Sequence, residues 1–224
     1  MRIFNKVDDS WISNLKRNAK RGDTIAQYNL GVLYDDGHGV PQDFAQARQW
    51  FEKAAAQGYA NAQHNLGWLH NYGQGGPQDY VKARQCYEQA AAQGHAEAQA
   101  KLGVMYFEGW GVRQNYARAR QWFEKAAVQG SASAQVNLGL LYANGLGVAQ
   151  DYAQARQWWE RAAAQGNAIA QTNLGVLYAE GQGGPQDYVK ARQCFARAAV
   201  QGHAQAQEAL RELNGNTKAR SSAA

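Results

Sequence analysis

Five glycines, Gly31, Gly67, Gly103, Gly139 and Gly175, stand 36 residues apart, and the text around them recurs: AQYNLGVLY, AQHNLGWLH, AQAKLGVMY, AQVNLGLLY and AQTNLGVLY. A fixed period of this length marks an array of small units, none of which buries its apolar residues alone. Five full units fill 23–58, 59–94, 95–130, 131–166 and 167–202. Positions are numbered 1 to 36 within a unit.

Each unit predicts two helices. Positions 4, 8, 11 and 12 (Ala26, Leu30, Leu33 and Tyr34 in the first unit) follow the i, i+4, i+7, i+8 spacing of one helical face. Gly at position 15 ends that helix as a left-handed cap, and a second Gly at position 17 keeps the turn compact. The second helix starts after position 21, where Asp43, Asp79, Asn115, Asp151 and Asp187 are N-cap types. Gln46 and Gln154, three residues on from Asp43 and Asp151, predict capping boxes. The buried face then runs through positions 22, 25, 29, 32 and 33, here Phe44, Ala47, Phe51, Ala54 and Ala55. Position 9 is Gly inside a helix, a cost of up to about 1 kcal/mol against Ala, so it must serve close helix packing.

The ends extend the scheme. Residues 1–22 predict an N-terminal capping helix and 203–214 a C-terminal one, followed by a disordered tail over 215–224. The expectation is all-α, twelve helices and no strand.

Charge is segregated. Residues 1–22 hold six Lys and Arg against two Asp, while the units between 23 and 202 hold fourteen of each sign. A nucleic-acid binder concentrates cations along its body, so no nucleic-acid partner is expected. No apolar run reaches the roughly 18 residues of a membrane span. No signal-peptide h-region is visible, and Cys86 and Cys194 are too few for a disulfide framework, so a cytoplasmic location is expected.

The pattern A-x-A-Q-x-N-L-G-x-L-Y-x-x-G-x-G-V-x-x-D-Y-x-x-A-x-x-W-F-x-x-A-A-x-x-G resembles the Sel-one-like repeat, a relative of the tetratricopeptide repeat, over 23–202. The resemblance implies a right-handed α-α superhelix (solenoid) whose first helices line a concave face. It implies protein–protein interaction as the usual role, and the favoured expectation is a non-catalytic scaffold or adaptor that binds a protein or peptide in that groove, or an inhibitor that holds a cognate effector. Some secreted members carry a disulfide in each repeat; this chain lacks those cysteines.

By the same analogy, positions 3, 6, 10, 13 and 14 face the groove. Units one to three place there, or in the following turn, Tyr28, Asp35, Asp36, His64, Trp68, Asn71, Tyr72, Phe107, Glu108 and Trp110. An aromatic cluster with acidic flanks suits a partner with an apolar anchor and a basic residue. Trp68 is expected to stand clear of the core. Asn29, Asn65, Asn137 and Asn173 at position 7 either bond a peptide backbone or hold a neighbouring loop. No metal is expected, because the five histidines lack metal-ligand spacing, and no cofactor or small-molecule substrate is expected either. Ser13-Asn14-Leu15-Lys16 matches S-x-x-K, which keeps a weak hydrolase of β-lactam or cell-wall type as the alternative, without the companion motifs of that class.

Overall fold

Asp43, Asp79, Asn115, Asp151 and Asp187 each accept a hydrogen bond from the backbone N–H three residues on, and each starts a 13-residue helix. The first helix of each repeat ends on a left-handed glycine, as at Gly37 (φ 73°), whose N–H donates to the Leu33 carbonyl. The structure is a computed structural model that describes residues 9–221, with side chains from 10 to 214. Among the described residues it is all-α, with twelve helices and no strand. These are α1 (Asp9–Lys20), α2 (Thr24–Asp36), α3 (Phe44–Ala56), α4 (Ala60–Tyr72), α5 (Tyr80–Ala92) and α6 (Ala96–Glu108). Then follow α7 (Tyr116–Val128), α8 (Ala132–Asn144), α9 (Tyr152–Ala164), α10 (Ala168–Glu180), α11 (Tyr188–Val200) and α12 (Ala204–Ser221). Of the tail expected over 215–224, the α12 backbone takes up 215–221, and 222–224 lie outside the described residues.

The chain divides into two compact units, one ending at Gln114 and one beginning at Asn115. Within each, every helix packs on its neighbours in sequence. In the first unit, Ala47, Phe51, Ala54, Ala62, Leu66 and Leu69 form one buried cluster, and Leu15, Ala19, Ala26 and Leu30 another under α1. In the second, Trp159, Leu174, Leu177, Tyr178 and Phe195 lead the core.

The helical glycines have the packing reason their cost demanded. A Cβ on Gly31 would lie 2.6 Å from the Phe51 ring, and one on Gly67 would lie 2.8 Å from the Tyr87 ring. The position-17 glycine does more than shorten a turn. Gly111 has φ +63°, and a Cβ there would lie 2.6 Å from the Tyr80 carbonyl of the preceding repeat, so this turn rests directly on the start of α5.

The expected capping boxes close on one side only. Asp43 accepts from the Gln46 N–H at 3.0 Å, but its own N–H donates to the Tyr34 carbonyl at 2.8 Å. Asp151 likewise donates to the Tyr142 carbonyl at 2.9 Å. The first helix's C-terminal carbonyl thus takes the bond that the Gln side chain would have made.

A set of glutamines ties the repeats together. The buried position-5 amides reach back to the preceding second helix: Gln27 to the Ala19 carbonyl (3.1 Å), Gln63 to Ala55 (3.3 Å), Gln171 to Ala163 (3.3 Å). Their own oxygens accept from position 35, as Gln57 to Gln27 (2.7 Å) and Gln93 to Gln63 (2.8 Å). At position 20, Gln42, Gln78, Gln114, Gln150 and Gln186 each cap a position-13 carbonyl at 2.7 Å. Orphan carbonyls at helix ends are thereby satisfied by side chains in every repeat.

Candidate functional site

The aromatic and acidic residues expected to meet a partner all belong to the unit that ends at Gln114, on α2, α4, α6 and the turn after α6, while Asn137 and Asn173 lie on α8 and α10 of the other unit. The structure separates them into seam residues and exposed ones.

Position 6 is a seam between repeats. The Tyr28 ring packs edge-on against Tyr59 of the next repeat at 5.0 Å, and His64 stacks on His95 at 4.8 Å. Thr172 lies 3.0 Å from His203 in the same relation. Tyr28 also packs against the Phe51 ring at 5.8 Å. Burial pushes the Tyr28 hydroxyl above its ordinary pKa, with Tyr59 adding to the effect. Burial holds the His64 imidazole below its ordinary value, against a hydrogen bond with Asn65 that works the other way. Both side chains are half-buried, so their first task is to join repeats.

Trp68 does not stand clear of the core. Position 10 is Val32, Val104, Leu140 or Val176 elsewhere, and Trp68, like Val32 at the same position, packs on the Phe51–Leu66–Leu69 cluster. Its outer side carries Tyr72, with ring centroids 4.9 Å apart. Tyr72 is 50% exposed, although position 14 is Asp36, Glu108, Asn144 or Glu180 in the other repeats. Asp36 and Glu108 are exposed at the matching position of the repeats on either side. Asp35 is half-buried and its Oδ1 has no hydrogen-bond partner. Burial, then the neighbouring Asp36, raise its carboxyl above the usual carboxylate range. Phe107 is half-buried.

Two expected members lie elsewhere. Asn71 is 7% exposed, and its carbonyl accepts from Gln78, so it belongs to the turn. Trp110 stacks on Tyr80 of α5 at 5.5 Å and braces the Gly111 turn against the preceding repeat, although 38% of it remains exposed. The position-7 asparagines do not hold a loop. Asn65 bonds His64 on the first-helix layer at 3.1 Å, and Asn137 donates to the Ser133 carbonyl of its own helix at 2.9 Å. Asn29 and Asn173 have no side-chain hydrogen bond among the described residues.

Sequence reasoning missed a polar contact beneath this layer. His70 stands where other repeats have Tyr, is 5% exposed, and takes a hydrogen bond from Arg48 of the preceding repeat at 2.5 Å. Burial, then Arg48 and Lys82, bring its pKa down to about 4. The equivalent pair is Arg156 and Tyr178, bonded at 2.9 Å, so the signal was present in the shared Arg at position 26. Burial raises the Cys86 thiol to about 11 and raises Cys194 in the same direction. Ser13 and Lys16 lie on the outer side of α1 beside three further cations. No cluster of three or more His, Cys, Asp or Glu fit for a metal occurs among the described residues, and no described helix is long and apolar enough to cross a membrane.

Comparison with known proteins adds the family. The Sel1 repeat model matches residues 24–59, 60–95, 96–131, 132–167 and 168–203, one residue out of phase with the units read from the sequence. Among solved structures, the c5321 protective antigen of uropathogenic Escherichia coli, which displays an SLR fold, is 40% identical with a TM-score of 0.85. That match covers 89% of this chain and 43% of the antigen. A Sel1 repeat protein from Oxalobacter formigenes is 36% identical with a TM-score of 0.80, covering 87% of this chain and 80% of that one. The sel1-like repeat-containing protein L18 of Acanthamoeba polyphaga mimivirus is 38% identical over 55 residues, which are 25% of this chain and 9% of L18. Proteins built of this repeat generally serve as protein-interaction scaffolds.

Proposed function

The chain belongs to the Sel1 repeat family, and from that premise we propose that it is a non-catalytic scaffold whose first-helix face on α2, α4 and α6 binds a protein or peptide. Trp68 and Tyr72 take an apolar anchor of the partner. Asp35, Asp36 and Glu108 take a Lys or Arg. The observation that carries this reading is Tyr72, a half-exposed ring lying on a half-buried indole at a position where the other repeats are polar. Repeat packing does not require an exposed aromatic there, and aromatic residues flanked by charge are typical of interface hot spots. The Asp35 carboxyl, raised first by burial and then by Asp36, has an Oδ1 without a hydrogen-bond partner, and a partner cation would favour its charged form.

The test is paired affinity capture from the native cell on immobilised intact protein and on its Tyr72→Ala variant. The reading expects a polypeptide retained by the first and lost from the second. The same polypeptides on both would refute it.

A further inference from the structure

We propose that α4 is an acid-sensitive element of the unit that ends at Gln114: protonation of His64, His70 and His95 parts it from α3 and α6 and takes the Trp68–Tyr72 face with it, while the unit that begins at Asn115 stays closed. Loss of that face in acid bears on the binding role proposed above; the opening itself does not rest on that role.

Histidines meet α4 on both sides. Toward the preceding repeat, His70 is 5% exposed, and its Nδ1 accepts a hydrogen bond from the Arg48 guanidinium of α3 at 2.5 Å. A guanidinium only donates, so the bond requires a neutral imidazole with its lone pair toward Arg48. A proton there sets N–H against N–H and one cation against another in a buried contact. The other charges facing His70 are Asp79 and Lys82 of the α5 start, and these already pair with each other at 3.5 Å. Glu52 of α3 meets Arg48 at its Nε, 3.6 Å away.

Toward the following repeat, the His64 ring stacks on His95 at 4.8 Å, with the planes 16° apart. His95 Nδ1 accepts the Ala98 N–H at 3.2 Å as the N-cap of α6, so a proton there also removes a cap. His64 Nδ1 donates to the Asn65 side-chain oxygen at 3.1 Å, and its Nε2 is buried without a partner. The imidazolium would strand an N–H at that Nε2. Lys101 of α6 adds a like charge and Glu97 of α6 an opposite one, and the Tyr87 ring of α5 packs on His64 at 5.7 Å. Burial leads in holding all three imidazoles below their ordinary pKa.

The unit that begins at Asn115 repeats the architecture with other residues at these positions. Position 12 is Tyr142 and Tyr178, and Arg156 donates to the Tyr178 hydroxyl at 2.9 Å. Val136 and the cap Asn167 stand where the first unit has His64 and His95. Its one histidine, His203, faces the Thr172 hydroxyl at 3.0 Å, which accepts from a protonated ring as well as from a neutral one.

Linkage sets the sign. The open form takes up protons near pH 6.5 and the closed form resists them, so closure is complete above that pH and weakens as pH falls. For His70, held down from 6.5 to about 4, opening rises about tenfold for each pH unit between those values. Amide hydrogen exchange of the full chain at pH 7 and pH 5, corrected for the intrinsic rate, reads both units at once. Leu66 and Leu69 of α4 should gain at least about 20-fold in opening, and Leu138 and Leu141, at the same positions of α8, less than about threefold. Asp79 and Asp187 cap α5 and α11 and are both held below the usual carboxylate range by the backbone N–H they accept, so acid weakens the two units alike through them and the comparison isolates the histidines. His70→Tyr alone should lower the α4 gain about 20-fold. His64→Val with His70→Tyr and His95→Asn installs the residues of the second unit and should bring α4 to within about threefold of α8. Equal gains in α4 and α8 overturn the proposal, as does an α4 gain that survives the triple exchange. Where the triple variant does not fold, an undiminished gain in His70→Tyr overturns it.

Discussion

At Gly67, ring packing and backbone propensity pull in opposite directions, which makes the site a sharp test at the residue scale. Propensity alone says that Ala in a helix is better than Gly by up to about 1 kcal/mol. The Tyr87 ring, 2.8 Å from where a Cβ would stand, says that Ala is worse. Overpacking wins in a closed core, so Gly67→Ala should lower stability by about 1–3 kcal/mol in denaturant unfolding. His70 gives a pH dependence of definite sign. Its pKa falls from 6.5 to about 4 on folding. Between those values the unfolded chain holds a proton that the folded chain refuses, so stability is full above pH 6.5 and declines as pH falls toward 4. The loss should be on the order of 1–3 kcal/mol. His64 and His95 are held down in the same direction, so they add to it. His70→Tyr restores the residue of the other repeats and should flatten part of the slope, as read from unfolding midpoints at pH 7 and pH 4.5. The spacing made the role of Gly67 legible, because a repeated helix cost needs a repeated cause. It gave no sign that Trp68 reaches the core, because position 10 was assigned to the groove by analogy, whereas Val32 and Trp68 at that position both pack on the cluster around Phe51.

Between elements, the recurrent glutamines do what helix periodicity alone does not reveal. Positions 5, 20 and 35 repeat in plain sight, but a polar residue that recurs is equally consistent with a solvated face. Burial distinguishes the cases: Gln63 is 5% exposed and links the Ala55 carbonyl to the Gln93 amide. Gln63→Ala should cost about 1–3 kcal/mol, because it strands a carbonyl and an amide together. Gln89→Ala, at an exposed position on α5, should change the midpoint by less than about 0.5 kcal/mol and serves as the comparison. The asparagines failed the converse way. Their regular spacing suggested one shared role, yet Asn65 bonds the His64 ring while Asn137 bonds the Ser133 carbonyl of its own helix.

For the whole molecule, a repeat array distributes stability along its length and softens at its ends. Leu102 is fully buried in α6, so Leu102→Ala should cost about 2–5 kcal/mol, whereas half-buried Leu210 in α12 should cost clearly less. The array and its helices were legible from the period because each packing position occurs five times. The interaction face was legible only in outline, because exposure is decided between repeats: Tyr72 stays open, while Tyr28 and His64 are taken up by the next repeat. Calorimetric titration of a captured partner against wild type, Tyr72→Ala and Asp36→Asn, with unfolding midpoints for each, tests the proposed face most directly. The account predicts that Tyr72→Ala weakens binding by at least about 1–2 kcal/mol, and Asp36→Asn by a smaller, salt-dependent amount, with both midpoints unchanged. Wild-type affinity in both variants would contradict it.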